Sequence, residues 1–266
     1  MSHPGPGEQP GPGEQPGRQV APGVDRLGDD VVNFYLIEDP DGLTLIDAGL
    51  PGHLRQLKDH LARSGRSIHD IRAVLLTHGH PDHTGLAGPL HQAGAEIWVH
   101  ERDAPILKDG PRSAMRHAKP ERSMLPYLLR RPAAIGTPLH MALKGGFTAP
   151  PMPQVRTFSG DQHLQTVPGR PQAIVLAGHT PGSTAYLFAD RGLLFVGDAL
   201  VTYDGLTGHT GPTLVCRGFT HDSAAALSSL DRLAQISASL LLPGHGQLFT
   251  GSPRAAADQA RHAGLR

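Results

Sequence analysis

In a chain of 266 residues, five short apolar runs end in turns whose titratable side chains are histidine or aspartate only. The run 43–46 leads into Asp47. The run 73–76 leads into Thr77-His78-Gly79-His80-Pro81-Asp82-His83, and 173–177 into Gly178-His179. The runs 193–196 and 240–242 lead into Gly197-Asp198 and Pro243-Gly244-His245. Buried sheets gather polar ligands in the crevice beyond their strand ends, so these loops predict one shared site. Imidazole with carboxylate suits zinc or another first-row divalent ion, and one ion is satisfied by three or four protein donors. His78, His80, Asp82, His83, His179, Asp198 and His245 are seven, which predicts two ions. His78 and His80, two apart in an extended turn, can point to one side. Asp82 and His83 follow the Pro81 bend and can reach a neighbouring ion. Thr84 is then free to open a helix, with Asp82 near its N-terminus, where negative charge is favoured.

The chain has seventeen histidines, so abundance alone proves nothing. His53, His60, His91, His100, His117, His140, His163 and His262 are expected to face solvent or packing. Five of the remainder, His78, His80, His83, His179 and His245, stand out because each lies in a turn that directly follows an apolar run.

Such positions need strands and helices to hold them. The runs 31–37 and 43–46 flank Asp39-Pro40-Asp41-Gly42 and predict a β-hairpin. Leu54, Leu57 and Leu61 recur at helical spacing, and Gly65 marks a stop. Further strands are expected at 73–76, 97–99, 173–177, 185–188, 193–196 and 240–242, and helices at 221–235 and 253–262. The alternation predicts an α/β fold with sheets under helices.

Two stretches differ. Residues 1–24 hold the hexapeptide Gly-Pro-Gly-Glu-Gln-Pro twice and read as a disordered tail preceding a domain at 25–266. Residues 104–153 are rich in proline and in basic side chains such as Arg112, Arg116, Lys119, Arg122, Arg130 and Arg131. Prolines so spaced forbid one long helix, so the segment reads as an insertion or lid of short helices. Twenty-four basic against twenty-four acidic residues exclude a dedicated nucleic-acid binder. The single cysteine excludes an internal disulfide and a Cys-rich zinc module. No apolar run is long enough to span a membrane, and a soluble, cytoplasmic protein with a small-molecule substrate is expected.

The string His78-Gly79-His80-Pro81-Asp82-His83, preceded by Asp47 and followed by His179, Asp198 and His245, resembles the metallo-β-lactamase fold hydrolases. The resemblance implies a four-layer αβ/βα sandwich with metals at one edge. It further implies that His78, His80 and His179 hold a first ion, that Asp82, His83 and His245 hold a second, and that Asp198 bridges them. Asp47 would support the loop. Two zinc ions are implied, with iron or manganese as alternatives. Their bridging hydroxide, from a water whose pKa falls from about 15.7 toward 7, would be the nucleophile. Asp82 would orient it, and Tyr203 or His209, in or beside a Gly-rich loop, would donate to an oxyanion. No Gly-x-Ser-x-Gly elbow offers a competing serine nucleophile.

Departures from particular subfamilies narrow the expectation. Asp198 stands where some zinc β-lactamases carry a cysteine ligand. With 21 residues after His245, the helical glutathione-binding region of glyoxalase II is not expected. Lactonases of this fold carry a tyrosine three residues after the bridging aspartate, where this chain has Val201 and places Tyr203 two positions on. The reading is a binuclear hydrolase of a small ester, thioester or lactone. The alternative is a mononuclear iron dioxygenase acting on a persulfide, since relatives of this fold bind one iron with ligands like His78, His179 and Asp198.

Overall fold

The computed structural model describes residues 17–266, and the repeated hexapeptides of the tail lie outside them. The tail does not extend to residue 24. Arg18–Ala21 (β1) pairs antiparallel with Val24–Gly28 (β2) around Gly23, at φ 63°. Val20 and Ala21 pack on the core cluster that contains Val24 and Tyr35. A Gly- and Pro-rich composition thus still yields a strand where an edge and apolar contacts are available.

The expected hairpin is Asn33–Asp39 (β3) with Gly42–Ile46 (β4), Asp39 facing Gly42 across the turn. Leu54–Arg63 (α1) then carries the chain across to Ile71–Leu75 (β5), parallel to β4. Pro81–Thr84 (α2) and Ala87–Gln92 (α3) lead to Glu96–His100 (β6), and Arg156–Phe158 (β7) closes the sheet. Its order is β1-β2-β3-β4-β5-β6-β7. The second sheet holds Gln162–His163 (β8), Gln172–Val175 (β9), Thr184–Phe188 (β10), Leu193–Gly197 (β11), Leu240–Pro243 (β14) and Phe249–Thr250 (β15). Its order is β15-β14-β11-β10-β9-β8. Val201–Tyr203 (β12) and Thr210–Thr213 (β13) form a separate ribbon.

The period of two along each strand builds the layers. Tyr35 and Ile37 of β3 face inward onto Tyr186 and Phe195 of the second sheet, while Phe34 and Leu36 face outward toward Leu57 and Leu61 of α1. On the far side, Leu194 and Val196 pack with Leu230 of Ser223–Leu233 (α8) and Ala256 of Pro253–Ala263 (α9). The result is helix, sheet, sheet, helix, the expected four-layer α/β sandwich. It brings the C-terminal ends of β4, β5, β11 and β14 to one edge.

Between β6 and β7 lie four short helices: Ala104–Asp109 (α4), Ala114–His117 (α5), Leu125–Arg130 (α6) and Gly136–Leu143 (α7). Prolines stand in the first turns of α4 and α6, where a missing N–H costs nothing. Of the exposed large apolar residues among those described, seven fall here, Met115 through Phe147. Residues 111–155 also hold seven Lys or Arg and a single acid, Glu121. The lid is tied to the body by His140 Nε2 on Asp29 Oδ2 at 2.8 Å and by Arg131 Nη1 on the Gly205 carbonyl at 2.8 Å. Among the described residues no helix is long and apolar enough to cross a membrane.

Candidate metal centre

Asp47 directly follows β4 at φ 58°, a left-handed conformation that aspartate tolerates better than most residues. That bend aims its carboxylate at the next loop. It accepts the Thr77 backbone N–H at 2.7 Å and His83 Nδ1–H at 2.9 Å. The Thr77 hydroxyl donates to the same carboxylate at 2.9 Å and lies 3.1 Å from His78 Nδ1. With their Nδ1 atoms so engaged, His78 and His83 turn their Nε2 atoms inward. His245 does likewise, its Nδ1 donating to the Val31 carbonyl at 2.6 Å.

The helix expected to open at Thr84 starts at Pro81 instead, because His80 is extended and Pro81 is preset for a first turn. Asp82 and His83 therefore lie on α2 itself. Glycine is required beside them: a Cβ on Gly244 would come within 2.3 Å of Asp198 Oδ1 and 2.6 Å of His83 Cε1.

All seven expected donors meet. One donor atom each from His78, His80 and His179 lies within 4.8 Å of the others, and the same holds for Asp82, His83 and His245 and for His78, His83 and Asp198. Asp198 sits among them, with Oδ2 3.4 Å from His179 Nε2 and 3.1 Å from His245 Nε2, and Oδ1 3.6 Å from His83 Nε2. Asp82 Oδ2 lies 3.4 Å from His245 Nε2. His78 Nε2, His83 Nε2 and Asp198 Oδ1 are buried without a hydrogen-bond partner, as is His179 Nδ1. Each buried polar atom left so costs about 1–3 kcal/mol, and three of these four belong to a cluster with the donor chemistry of a divalent cation. The residues present fit two such ions.

The electrostatics divide the imidazoles. Burial pushes His80 down to about 4 and His78 and His179 well below their ordinary value. Burial opposes charge on His83 and His245 too, but carboxylates outweigh it. Asp47, Asp198 and Asp82 hold His83 up at about 9, and Asp198 and Asp82 hold His245 up at about 10. Burial works against the Asp198 carboxylate, yet His245 and His83 keep it well below the usual carboxylate range.

Sequence reasoning missed Asp103. It is fully buried and accepts from Gly79 N at 2.8 Å, Thr180 Oγ1 at 2.6 Å and Gly182 N at 2.7 Å, joining the His78–His80 loop to the His179 loop. Burial raises its carboxyl pKa, against those hydrogen bonds. Its signal was the same as that of Asp47: an acid just beyond a strand, here β6. Asp29 was missed as well. It is buried, and His53, expected to be bland, donates to it at 2.9 Å.

Of the two candidate oxyanion donors, Tyr203 lines the cavity over the metal cluster, whereas His209 is not among its described lining residues. His209 supplies a backbone carbonyl to Asp204 N at 3.0 Å, which closes the 204–209 loop. The cavity, about 750 Å³, has His80, Asp82, His179, Asp198 and His245 on its floor and the lid as its roof.

Histidines and aspartates from the ends of strands in two facing sheets, gathered under a helical lid, define an α/β sandwich with a candidate metal centre at its edge. The chain belongs to the metallo-beta-lactamase superfamily, whose family model matches residues 27–245. It is 32% identical over 234 residues to the uncharacterized protein YobT of Bacillus subtilis, covering 86% of this chain and 88% of that one. It is 26% identical to the probable metallo-hydrolase YflN of the same organism, over 88% and 87% of the two chains. To hydroxyacylglutathione hydrolase GloC of Haemophilus influenzae it is 28% identical over 53% of this chain and 54% of GloC. Among solved structures, the metallo-beta-lactamase family protein TTHA1429 of Thermus thermophilus superposes with a TM-score of 0.66 at 25% identity, covering 92% of this chain and 80% of that one. TTHA1623, solved in a di-iron-bound form, gives 0.58 at 27% identity over 85% and 92%.

Proposed function

We propose that this protein is a binuclear metal-dependent hydrolase of a small-molecule ester, thioester or lactone, loaded with two zinc ions. His78, His80 and His179 would hold one ion and Asp82, His83 and His245 the other, with Asp198 available to both groups. When bound, such a pair supplies Lewis acidity and a hydroxide nucleophile at neutral pH. Asp82, on the cavity floor beside His245, orients the attacking water, and the Tyr203 hydroxyl offers a hydrogen bond to the oxyanion that forms at the acyl carbon. The observation that carries this reading is the convergence of unpartnered His78 Nε2, His83 Nε2 and Asp198 Oδ1 on one buried cluster. The names of YflN and GloC support hydrolysis, and the di-iron neighbour supports a two-ion site while leaving iron open as the metal.

A single-iron persulfide dioxygenase would need only one donor group, and the second group, Asp82, His83 and His245, would then have no role. Elemental analysis of the purified protein, followed by a panel of lactone, thioester and phosphodiester substrates, tests the proposal. Two ions per chain and acyl hydrolysis lost in His80→Ala are expected. Well under two ions with hydrolysis unchanged in that variant would overturn it.

A further inference from the structure

The floor of the cavity is ionic, and its roof carries an aliphatic surface among basic side chains. Above His80, Asp82 and His179 the lid contributes Met115 from α5, Leu125 and Leu128 from α6, Met141 from α7, and Phe147. Met115, Leu125 and Phe147 are 66%, 59% and 37% exposed, so apolar surface stands wet at the mouth of the site. Acids of the same walls are engaged elsewhere. Asp204 accepts from Leu206 N, Thr207 N and Cys216 N, and Glu121 accepts from Ser223 and Arg217. The lid also brings Arg112, Lys119, Arg122, Ser123 and Thr137 to the cavity wall, so a charged or polar end of a ligand has partners there, while the methyl, thioether and aromatic groups of Met115, Leu125, Leu128, Met141 and Phe147 form a surface that only an apolar group can use.

We infer that the lid cavity receives an apolar acyl chain, so that the substrate is an ester, thioester or lactone with an extended aliphatic acyl group. The inference rests on the hydrolase reading above and names its substrate class. In the reaction water adds at the acyl carbon. The C–O or C–S bond breaks, the acyl carbon keeps the hydroxyl as a carboxylic acid, and the alcohol or thiol leaves with a proton. The chain lies against Leu125, Met115 and Met141 while the carbonyl rests on the ionic floor. Burying a methylene is worth about 0.8 kcal/mol, or roughly a three- to fourfold rise in kcat/KM per methylene until the cavity is filled.

The test is a homologous series of acetyl, butyryl, hexanoyl, octanoyl and decanoyl thioesters with one leaving group, assayed on the metal-loaded protein. Titration calorimetry with octanamide and acetamide runs beside it. The series should climb by that factor per methylene, and octanamide should bind with a negative heat-capacity change while acetamide does not. Leu125→Ser should flatten the series and weaken octanamide. Leu129→Ser, on the same helix, 75% exposed and not in the cavity wall, should change neither. Hydrolysis with a flat or falling series overturns the chain site and leaves the hydrolase standing. No hydrolysis anywhere, with octanamide bound and lost in Leu125→Ser, overturns the hydrolase and supports the chain site. Failure of octanamide to bind, or equal effects of the two serine variants, overturns it.

Discussion

His83 Nδ1 and Asp47 Oδ2 lie 2.9 Å apart, both side chains buried, so an acid at the end of one strand sets which nitrogen of a histidine in the next loop faces the cluster. The same acid holds the loop through Thr77. Carboxylate partners of metal-binding histidines typically contribute 10–100-fold in affinity. Asp47→Ala should therefore lose metal at the Asp82, His83 and His245 group by about that factor, read by competition with a chelator while circular dichroism is unchanged. Unaltered affinity would show that Asp47 serves the turn alone.

Asp103 is a purely structural counterpart. Asp103→Ala would strand two backbone N–H groups in the interior and leave the Thr180 hydroxyl with Ser183 Oγ at 2.9 Å, a cost of about 2 kcal/mol or more given about 1–3 kcal/mol for each stranded group. Asp103→Asn keeps an acceptor and should lose less. Denaturant midpoints of the two variants decide it, and equal midpoints with wild type would mean the stranded donors find other partners.

Asp29 makes a pH-dependent contribution. Burial opposes its charge, but His140, His53 and the Val32 N–H prevail and hold the carboxyl well below the usual carboxylate range. A folded-state pKa that is depressed gives stability that is present above the unfolded value, about 4, and fades below it. Between about pH 4 and pH 2, wild type should lose about 1.4 kcal/mol per pH unit relative to Asp29→Asn. Denaturation of the metal-free proteins across that range measures the difference, and a gap that stays constant or widens would contradict the role of the clasp.

Chelation tests the site as a fastener. Its donors come from loops of both sheets, so an ion that binds only the folded form adds about 2.7 kcal/mol when free at a hundred times its Kd. A chelator should lower the melting temperature and zinc should restore it. An identical melting curve with and without chelator would argue that the donors hold nothing.

The donors were legible because each is a polar residue stranded at the end of an apolar run, and a buried strand end leaves a carboxylate or imidazole few uses other than a ligand. Asp103 obeys the same rule after β6 but follows Glu101 and Arg102, so charge around it imitates a solvated turn. Its burial comes from Gly79 and Gly182, distant in sequence. His53 and His140 stayed hidden for the same reason, since their meeting at Asp29 spans 24 and 111 positions. β1, β7, β8 and β12 are two to four residues long, too short for alternation to register, and exist because a neighbouring edge pairs with them. Pro81 was read as a bend before a helix because its first-turn role depends on the extended His80.

The lid's excess of arginine and lysine sits on a chain whose total is 24 against 24, so the residues outside the lid carry a matching surplus of acid. The chain is formally neutral yet its charge is unevenly spread, with basic side chains such as Arg112, Lys119 and Arg122 lining the cavity over the candidate metal centre. Anionic ligands would be drawn to that cavity from beyond contact distance, and raising ionic strength would slow their encounter while leaving uncharged ligands indifferent.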